Sequence, residues 1–210
     1  MHAALADLVR LGIVDSLARG DKSPTELQVE FTIGSNLLAH HLKVLESAGI
    51  VSRLRSQGDH RRSYVRLTPG AVALAQPPAP TPAHRVVFVC TANSARSQLA
   101  AALWALRSDV PTASAGTHPA ARIDPGARAV ATRHNLDLPN LAPRTLAEVL
   151  TGDDFVITVC DTAHEELHSR DAVHWSVPDP VLAGTAHAFD AAYDELAARI
   201  GALAPLVTAA

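Results

Sequence analysis

The sequence predicts an α+β domain of helices closed by a hairpin, then an α/β domain of three layers on a four-stranded parallel sheet. Three observations carry this. A stretch with four prolines and no large apolar residue, QPPAPTPAH at 76–84, divides the chain. Before it, apolar residues recur at helical spacing and then alternate. After it, continuous apolar runs alternate with helical patterns, which favours a parallel sheet covered on both faces.

The first domain occupies 1–75. Leu5, Val9, Ile13 and Leu17 repeat at helical spacing and Gly20 offers a stop. Ser23, Pro24 and Glu26 form an N-cap, a first-turn proline and a capping box, opening a short helix to about Phe31. Gly34 supplies a turn. Residues 35–48 then make a helix with Leu38, Leu42 and Leu45 inward, ended by Gly49. IVSRLR and RSYVRL alternate around QGDHR and read as a hairpin. This is the winged helix-turn-helix order. Residues 76–84 read as an extended spacer, because proline cannot continue a helix.

In the second domain, 85–210, RVVFVC is a buried strand running into a polar loop and the helix SQLAAALWALR. VPTASAG, DDFVITVC and AVHWSV are the other strands. DPGARAVATRHN, RTLAEVL and a long AHAFDAAYDELAARIGALAPLV supply helices.

Hydrophobic content of 48% against 19% charged residues fits a soluble protein with a real core. Apolar runs fall short of the about 18 residues that a membrane span needs. The start has no basic n-region, so the expected address is the cytoplasm, with no membrane partner. Two cysteines, Cys90 and Cys160, fit neither a disulfide framework nor a four-ligand zinc site. In a reducing compartment each is a candidate reactive thiol or a small buried hydrophobe. The net charge of −3 conceals an asymmetry: residues 1–76 carry nine Lys+Arg against seven Asp+Glu. Arg53, Arg55, Arg61, Arg62 and Arg66 crowd a stretch whose one acid is Asp59, which points to polyanions.

The chemistry centres on Cys90. The loop of Cys90, Thr91, Ala92, Asn93, Ser94, Ala95, Arg96 and Ser97 lies between a buried strand and a helix start. Its successive N–H groups can curl around a tetrahedral oxyanion, backed by the helix dipole. Arg96 adds a planar fork matching two anion oxygens. The same field stabilises a thiolate at Cys90 as nucleophile. Ser97 can donate to it, and Asn93 can fix the loop. Asp179, between two prolines in HWSVPDP, sits at a strand end where such sheets place ligands. It is the candidate general acid for a departing oxygen. His164 and His168, four apart, read as solvated helix histidines, and no metal site is expected.

These residues carry a resemblance. VVFVCTANSARSQLAAALW, SAGTHP, VITVCD and HWSVPDP resemble the low-molecular-weight protein tyrosine phosphatase superfamily across residues 85–208. Gln98 after Arg-Ser, and the HW-x-x-PDP ending, resemble its arsenate reductase branch. The phosphatase branch has proline after Arg-Ser and an aromatic pair after Asp-Pro. The resemblance implies arsenate as substrate, attacked by Cys90 with oxygen loss assisted by Asp179. Thioredoxin-coupled members use three cysteines, the last seven positions after the second. Cys160 matches the second as a resolving thiol, but Leu167 stands where the third would be. The expected reductant is therefore an external thiol, mycothiol with a mycoredoxin, with thioredoxin or a Cys90–Cys160 disulfide as competing routes. The use of 16 Arg to 2 Lys suggests a GC-rich genome that favours such a host. Ala101 replaces the potassium-binding Glu of some members, so no ion site and no bound cofactor are carried over.

ALADLVRLGIVDSLARGDKSPTEL, HHLKVLESAGIVSRLR and HRRSYVRLTP resemble ArsR-like winged-helix repressors over about 4–70. The resemblance places Ser35, Asn36, His40 and Lys43 on a recognition helix for bases and phosphates, with Arg61 and Arg62 at the wing tip. Residues 1–76 hold no cysteine, so the family's thiol sensor is not carried over. The implied partner is operator DNA, with a homodimer open. The reading is an arsenate reductase fused to a DNA-binding-type regulatory module, in arsenic detoxification. The alternatives are a tyrosine phosphatase and a transcriptional regulator whose second domain senses an oxyanion.

Overall fold

A computed structural model describes residues 2–76, 79–138, 142–168 and 171–210. The chain divides into two compact units, Met1–Ala79 and Pro80–Ala210.

In the first unit, the single helix expected from the Leu5–Leu17 spacing is two, α1 (His2–Leu5) and α2 (Leu8–Leu17). Asp7 breaks it: extended at φ −137°, its carboxylate accepts from Arg10 N at 3.0 Å and caps α2. Helix α3 (Pro24–Phe31) opens on the expected capping box, Glu26 N donating to Ser23 Oγ and Ser23 N to Glu26 Oε2. The turn before α4 (Ser35–Ser47) is shared differently than expected: Thr32 takes the left-handed conformation at φ 52°, while Gly34 sits at an ordinary −70° as N-cap. Gly49, at φ 68°, ends α4. Strands β1 (Val51–Arg55) and β2 (Ser63–Leu67) pair antiparallel as the wing, and Lys22 bridges to Val65. A 3-10 turn follows at Pro69–Leu74. Ile13, Leu27, Leu38, Leu42, Leu45 and Val65 form the core of this winged helix-turn-helix.

The second unit departs from expectation at its first element. Within the 76–84 stretch read as a spacer, Thr81–Ala83 is a strand, β3, paired parallel with Val207–Ala209 at the far end of the chain. Proline is tolerated at the edge of such a ribbon, where its missing N–H costs no ladder bond. Residues 77 and 78 of the same stretch lie outside the described residues.

Next come β4 (Val86–Cys90), α5 (Arg96–Ala105), β5 (Thr112–Gly116), α6 (Pro125–Arg133) and α7 (Leu146–Val149). They are followed by β6 (Phe155–Thr158), α8 (Asp161–Leu167), β7 (Val173–His174), α9 (Pro180–Ala183), α10 (Ala186–Leu203) and β8 (Val207–Ala209). The parallel sheet has the order β5-β4-β6-β7, with the fully buried β4 inside. Helices α5, α7 and α8 pack on the strands of this sheet and α10 packs on α5 and α6, giving an α/β architecture. β7 is shorter than the 172–177 run suggested, because the chain turns at Trp175, whose carbonyl accepts from Val177 N. The last helix also stops short of the expected 207. Pro205 supplies no N–H, so a 3-10 turn at Ala204–Leu206 leads into β8 instead.

Among the described residues, no helix is long and apolar enough to cross a membrane.

Candidate active site

The Cys90 loop owes its shape to where its carbonyls go. Those of Cys90, Thr91, Ala92 and Ser94 accept from Thr117 N (3.1 Å), His118 N (2.8 Å), Ala120 N (2.9 Å) and Asp124 N (2.9 Å), all beyond β5. The Asn93 carbonyl accepts from Gln98 Nε2 at 3.1 Å. With its oxygens tied outward, the loop turns N–H groups toward the sulfur, and Asn93 N lies 3.2 Å from Cys90 Sγ. Ala95, the N-cap of α5, makes no side-chain cap, which leaves donors at the helix start for an anion. The fit is close: a Cβ on Gly116 would lie 2.6 Å from Thr91 O and 3.0 Å from Asn93.

Cys90 is 2% exposed, at the end of β4. Its sulfur lies 3.0 Å from Ser97 Oγ, which accepts from Asn93 Nδ2 at 2.9 Å. Asn93 is buried in the left-handed region at φ 48°. Its Oδ1 accepts from Gln98 Nε2 (3.2 Å) and Arg144 N (2.9 Å).

The structure brings Arg96 and Asp179 together more tightly than the clamp-and-acid reading anticipates. Arg96 Nη2 donates to Asp179 Oδ2 at 2.7 Å and Nη1 to Val177 O at 2.8 Å. Asp179 also N-caps α9, its Oδ1 accepting from Val181 N at 2.9 Å. A cleft of about 350 Å³ lies beside these elements, lined by Asp124, Arg133, Val181, Thr185 and Phe189 among others.

Cys160 is buried at the N-cap of α8, its sulfur 3.4 Å from Thr91 Oγ1 of the Cys90 loop. Burial pushes its thiol up to about 11, against a lowering by Arg96, with Cys90 raising it further. Leu167 is a buried core residue.

The solvated reading holds for His168 and is corrected for His164. His168 caps α8 in a left-handed turn and is exposed, whereas His164 is buried. His164 Nδ1 meets Asp171 Oδ2 at 2.6 Å, and His174 Nε2 meets Asp161 Oδ1 at 3.1 Å. Thr158 Oγ1 joins the two pairs, 2.5 Å from Asp171 and 2.9 Å from His174 Nδ1. His164, Asp171 and His174 offer donor atoms within 4.8 Å of one another. Their imidazoles are nevertheless stacked, with centroids 4.1 Å apart and planes at 12°. Imidazole lone pairs lie in the ring plane, so two stacked rings do not converge on one ion at the 2.0–2.1 Å typical of zinc. The cluster is a hydrogen-bonded network tying α8 to β7.

In the first unit, α4 exposes Ser35, Asn36, His40 and Lys43 together. At the wing, Arg61 donates to both oxygens of Asp59, at 2.9 and 3.0 Å, and Arg62 lies 3.7 Å from it. The Arg61 hydrogen bond pulls the Asp59 carboxyl down to about 2.

Gln98 and Gly116 hold the loop, and sequence reasoning missed that role: Gln98 drew notice only as a branch marker. Asp124, whose backbone fixes Ser94, signals only helix capping in the sequence.

Comparison with known proteins matches residues 85–210 to the model of the low molecular weight phosphotyrosine protein phosphatase family, and residues 7–53 to the bacterial regulatory protein, arsR family. The second unit resembles the crystal structure of arsenate reductase from Archaeoglobus fulgidus at 28% identity and a TM-score of 0.50, covering 57% of this chain and 98% of that one. The YwlE arginine phosphatase from Geobacillus stearothermophilus, at 23% identity and a TM-score of 0.50, covers 58% of this chain and 91% of its own and shares the fold. Over 60 residues, or 28% of this chain, the sequence is 43% identical to the uncharacterized HTH-type transcriptional regulator YdgJ of Bacillus subtilis, spanning 37% of that relative.

Proposed function

The chain belongs, through residues 85–210, to the low molecular weight phosphotyrosine protein phosphatase family, and from that premise we propose that it is a thiol-dependent arsenate reductase carrying an ArsR-type DNA-binding module. The observation that carries the proposal is the Cys90 loop, which aims Asn93 N and Ser97 Oγ at a buried sulfur with Arg96 and Asp179 paired beside it. Similarity to a named arsenate reductase at 28% identity supports this branch.

In this mechanism the oxyanion takes the place of the Asp179 carboxylate on the Arg96 fork. That exchange frees Asp179 to carry a proton. The Cys90 thiolate attacks arsenic, the bond to an arsenate hydroxyl breaks, and that hydroxyl leaves as water on receiving the proton from Asp179. An external thiolate then attacks the Cys90 sulfur. The S–As electron pair passes to arsenic, arsenite leaves, and Cys90 remains in a mixed disulfide that a second thiol reduces. Arsenic gains two electrons and two thiols become one disulfide. An external thiol fits because Leu167 stands where a third cysteine would be, and burial raises the Cys160 thiol above its ordinary value. Mycothiol with mycoredoxin fits that role, and thioredoxin is the competing donor.

The α4 face and wing arginines are proposed to contact operator DNA, phosphates through Arg61 and Arg62 and base edges through Asn36 and His40. Arsenate reduction with mycothiol and mycoredoxin, run beside aryl-phosphate hydrolysis, tests the enzyme reading. Turnover of arsenate supports it, and activity on the ester alone would replace it with a phosphatase.

A further inference from the structure

Gln98 is the buried polar side chain best placed to act on Cys90 without touching it. Its amide reaches back from the first turn of α5 and donates to both oxygens of Asn93, the backbone carbonyl at 3.1 Å and Oδ1 at 3.2 Å. Asn93 in turn donates twice toward the nucleophile: its backbone N–H goes to Cys90 Sγ directly, and its Nδ2 goes to Ser97 Oγ, which lies 3.0 Å from that sulfur. We propose that Gln98 is a positioning residue for the nucleophile, clamping Asn93 so that both of its donors, one through Ser97, are aimed at the Cys90 thiolate; this rests on Cys90 being the nucleophile.

The inventory of donors enforces the direction of the relay. Asn93 Oδ1 faces two donors, Gln98 Nε2 and Arg144 N, so its amide cannot flip, and its NH2 must point at Ser97. Ser97 Oγ has then accepted a hydrogen bond and keeps its own hydrogen for a thiolate, which can only accept. Each bond in such a chain polarises the next. The clamp also holds Asn93 in the left-handed conformation, which an L-residue leaves readily unless it is fixed. The charged and titratable groups near Cys90 are Arg96 on its own loop, Asp179 paired with Arg96, and Cys160 at the start of α8. Gln98, Asn93 and Ser97 are uncharged, so their effect is separable from that field.

The test uses the full chain with Cys160→Ser, leaving one thiol. Thiolate absorbance and iodoacetamide alkylation of Cys90 are followed against pH in the parent, Gln98→Met and Gln98→Glu, with thermal melts as the folding control. Methionine keeps the length but removes the donor; glutamate sets acceptors against acceptors. The expected result is a profile displaced to higher pH, with alkylation on its rising limb slowed about three- to tenfold, the scale of one buried hydrogen bond. The displacement should be larger in Gln98→Glu and should shrink when Ser97→Ala removes the relay, leaving only the part carried by the direct Asn93 N–H bond to the sulfur. Profiles that do not move in either folded variant overturn the proposal, as does a Gln98→Met effect that persists at full size without Ser97. Cys90→Ser separates this from the parent reading: arsenate turnover that survives it removes Cys90 as nucleophile, whereas its loss together with immobile Gln98 profiles removes the role of Gln98 alone.

Discussion

The Cys90 loop and the α4–wing surface are both anion-facing arrays of donors, and they are built in opposite ways. In the loop every carbonyl from Cys90 to Ser94 is bonded to a group outside it, and Asn93 and Ser97 are fully buried. The backbone donors therefore stand ready before any ligand arrives, and only the Arg96 fork has an acid, Asp179, to exchange for the oxyanion. On α4 and the wing, Asn36, His40, Lys43, Arg61 and Arg62 are exposed, and the arginines occupy themselves with Asp59. Their geometry is set only when a polyanion competes for them. A pre-organised site declares its chemistry from its own coordinates, while an exposed array declares only a class of partner.

The sharpest way to break the comparison is Cys90→Ser. Loss of at least about a thousandfold in arsenate turnover is expected in a coupled assay, since the covalent step has no substitute. Arg96→Lys comes next, with kcat/KM falling about a hundredfold, because a point charge cannot hold two oxygens bidentately or pair with Asp179 in the same plane. Cys160 should resist labelling: in the Cys90→Ser protein its alkylation at pH 8 is expected about a hundredfold below that of an ordinary cysteine. Burial keeps the thiol protonated, so reactivity should rise only as pH climbs above the ordinary cysteine range. Asp171→Ala removes the partner of buried His164, and should lower unfolding stability by about 3 kcal/mol in a denaturant titration. The smallest effect falls on the open array. Arg61→Ala should weaken DNA binding at all sequences alike and reduce the salt slope by about one in a gel-shift series. A loss confined to one operator sequence would instead make Arg61 a base reader.

Much of both units is legible in the chain. The capping box at Ser23–Glu26, the inward Leu38, Leu42 and Leu45, the strand Val86–Cys90 and the loop after it rest on local periodicity and cap chemistry. Most misreadings trace to a partner distant in sequence or to one residue's backbone. The spacer reading of Thr81–Ala83 failed because its strand partner is Val207–Ala209. His164 gives no sign of burial until Asp171 and His174 close over it. Thr32, rather than a glycine, takes the left-handed turn, and Asp7 interrupts a periodicity that the apolar residues alone carry through.

What the sequence determined by itself is the cradle around Cys90: a cysteine at the end of a buried strand, followed by a short polar loop and a helix start, is a place where N–H groups can converge on an anion. Only the tertiary structure decided how that cradle rests. It set Asp179 on the Arg96 fork, Gln98 behind Asn93 and Cys160 beneath Thr91. Asp179 and Cys160 lie on segments far from the loop in sequence, joined to it by packing of the sheet, and Gln98, though local, reveals its aim only once α5 is wound.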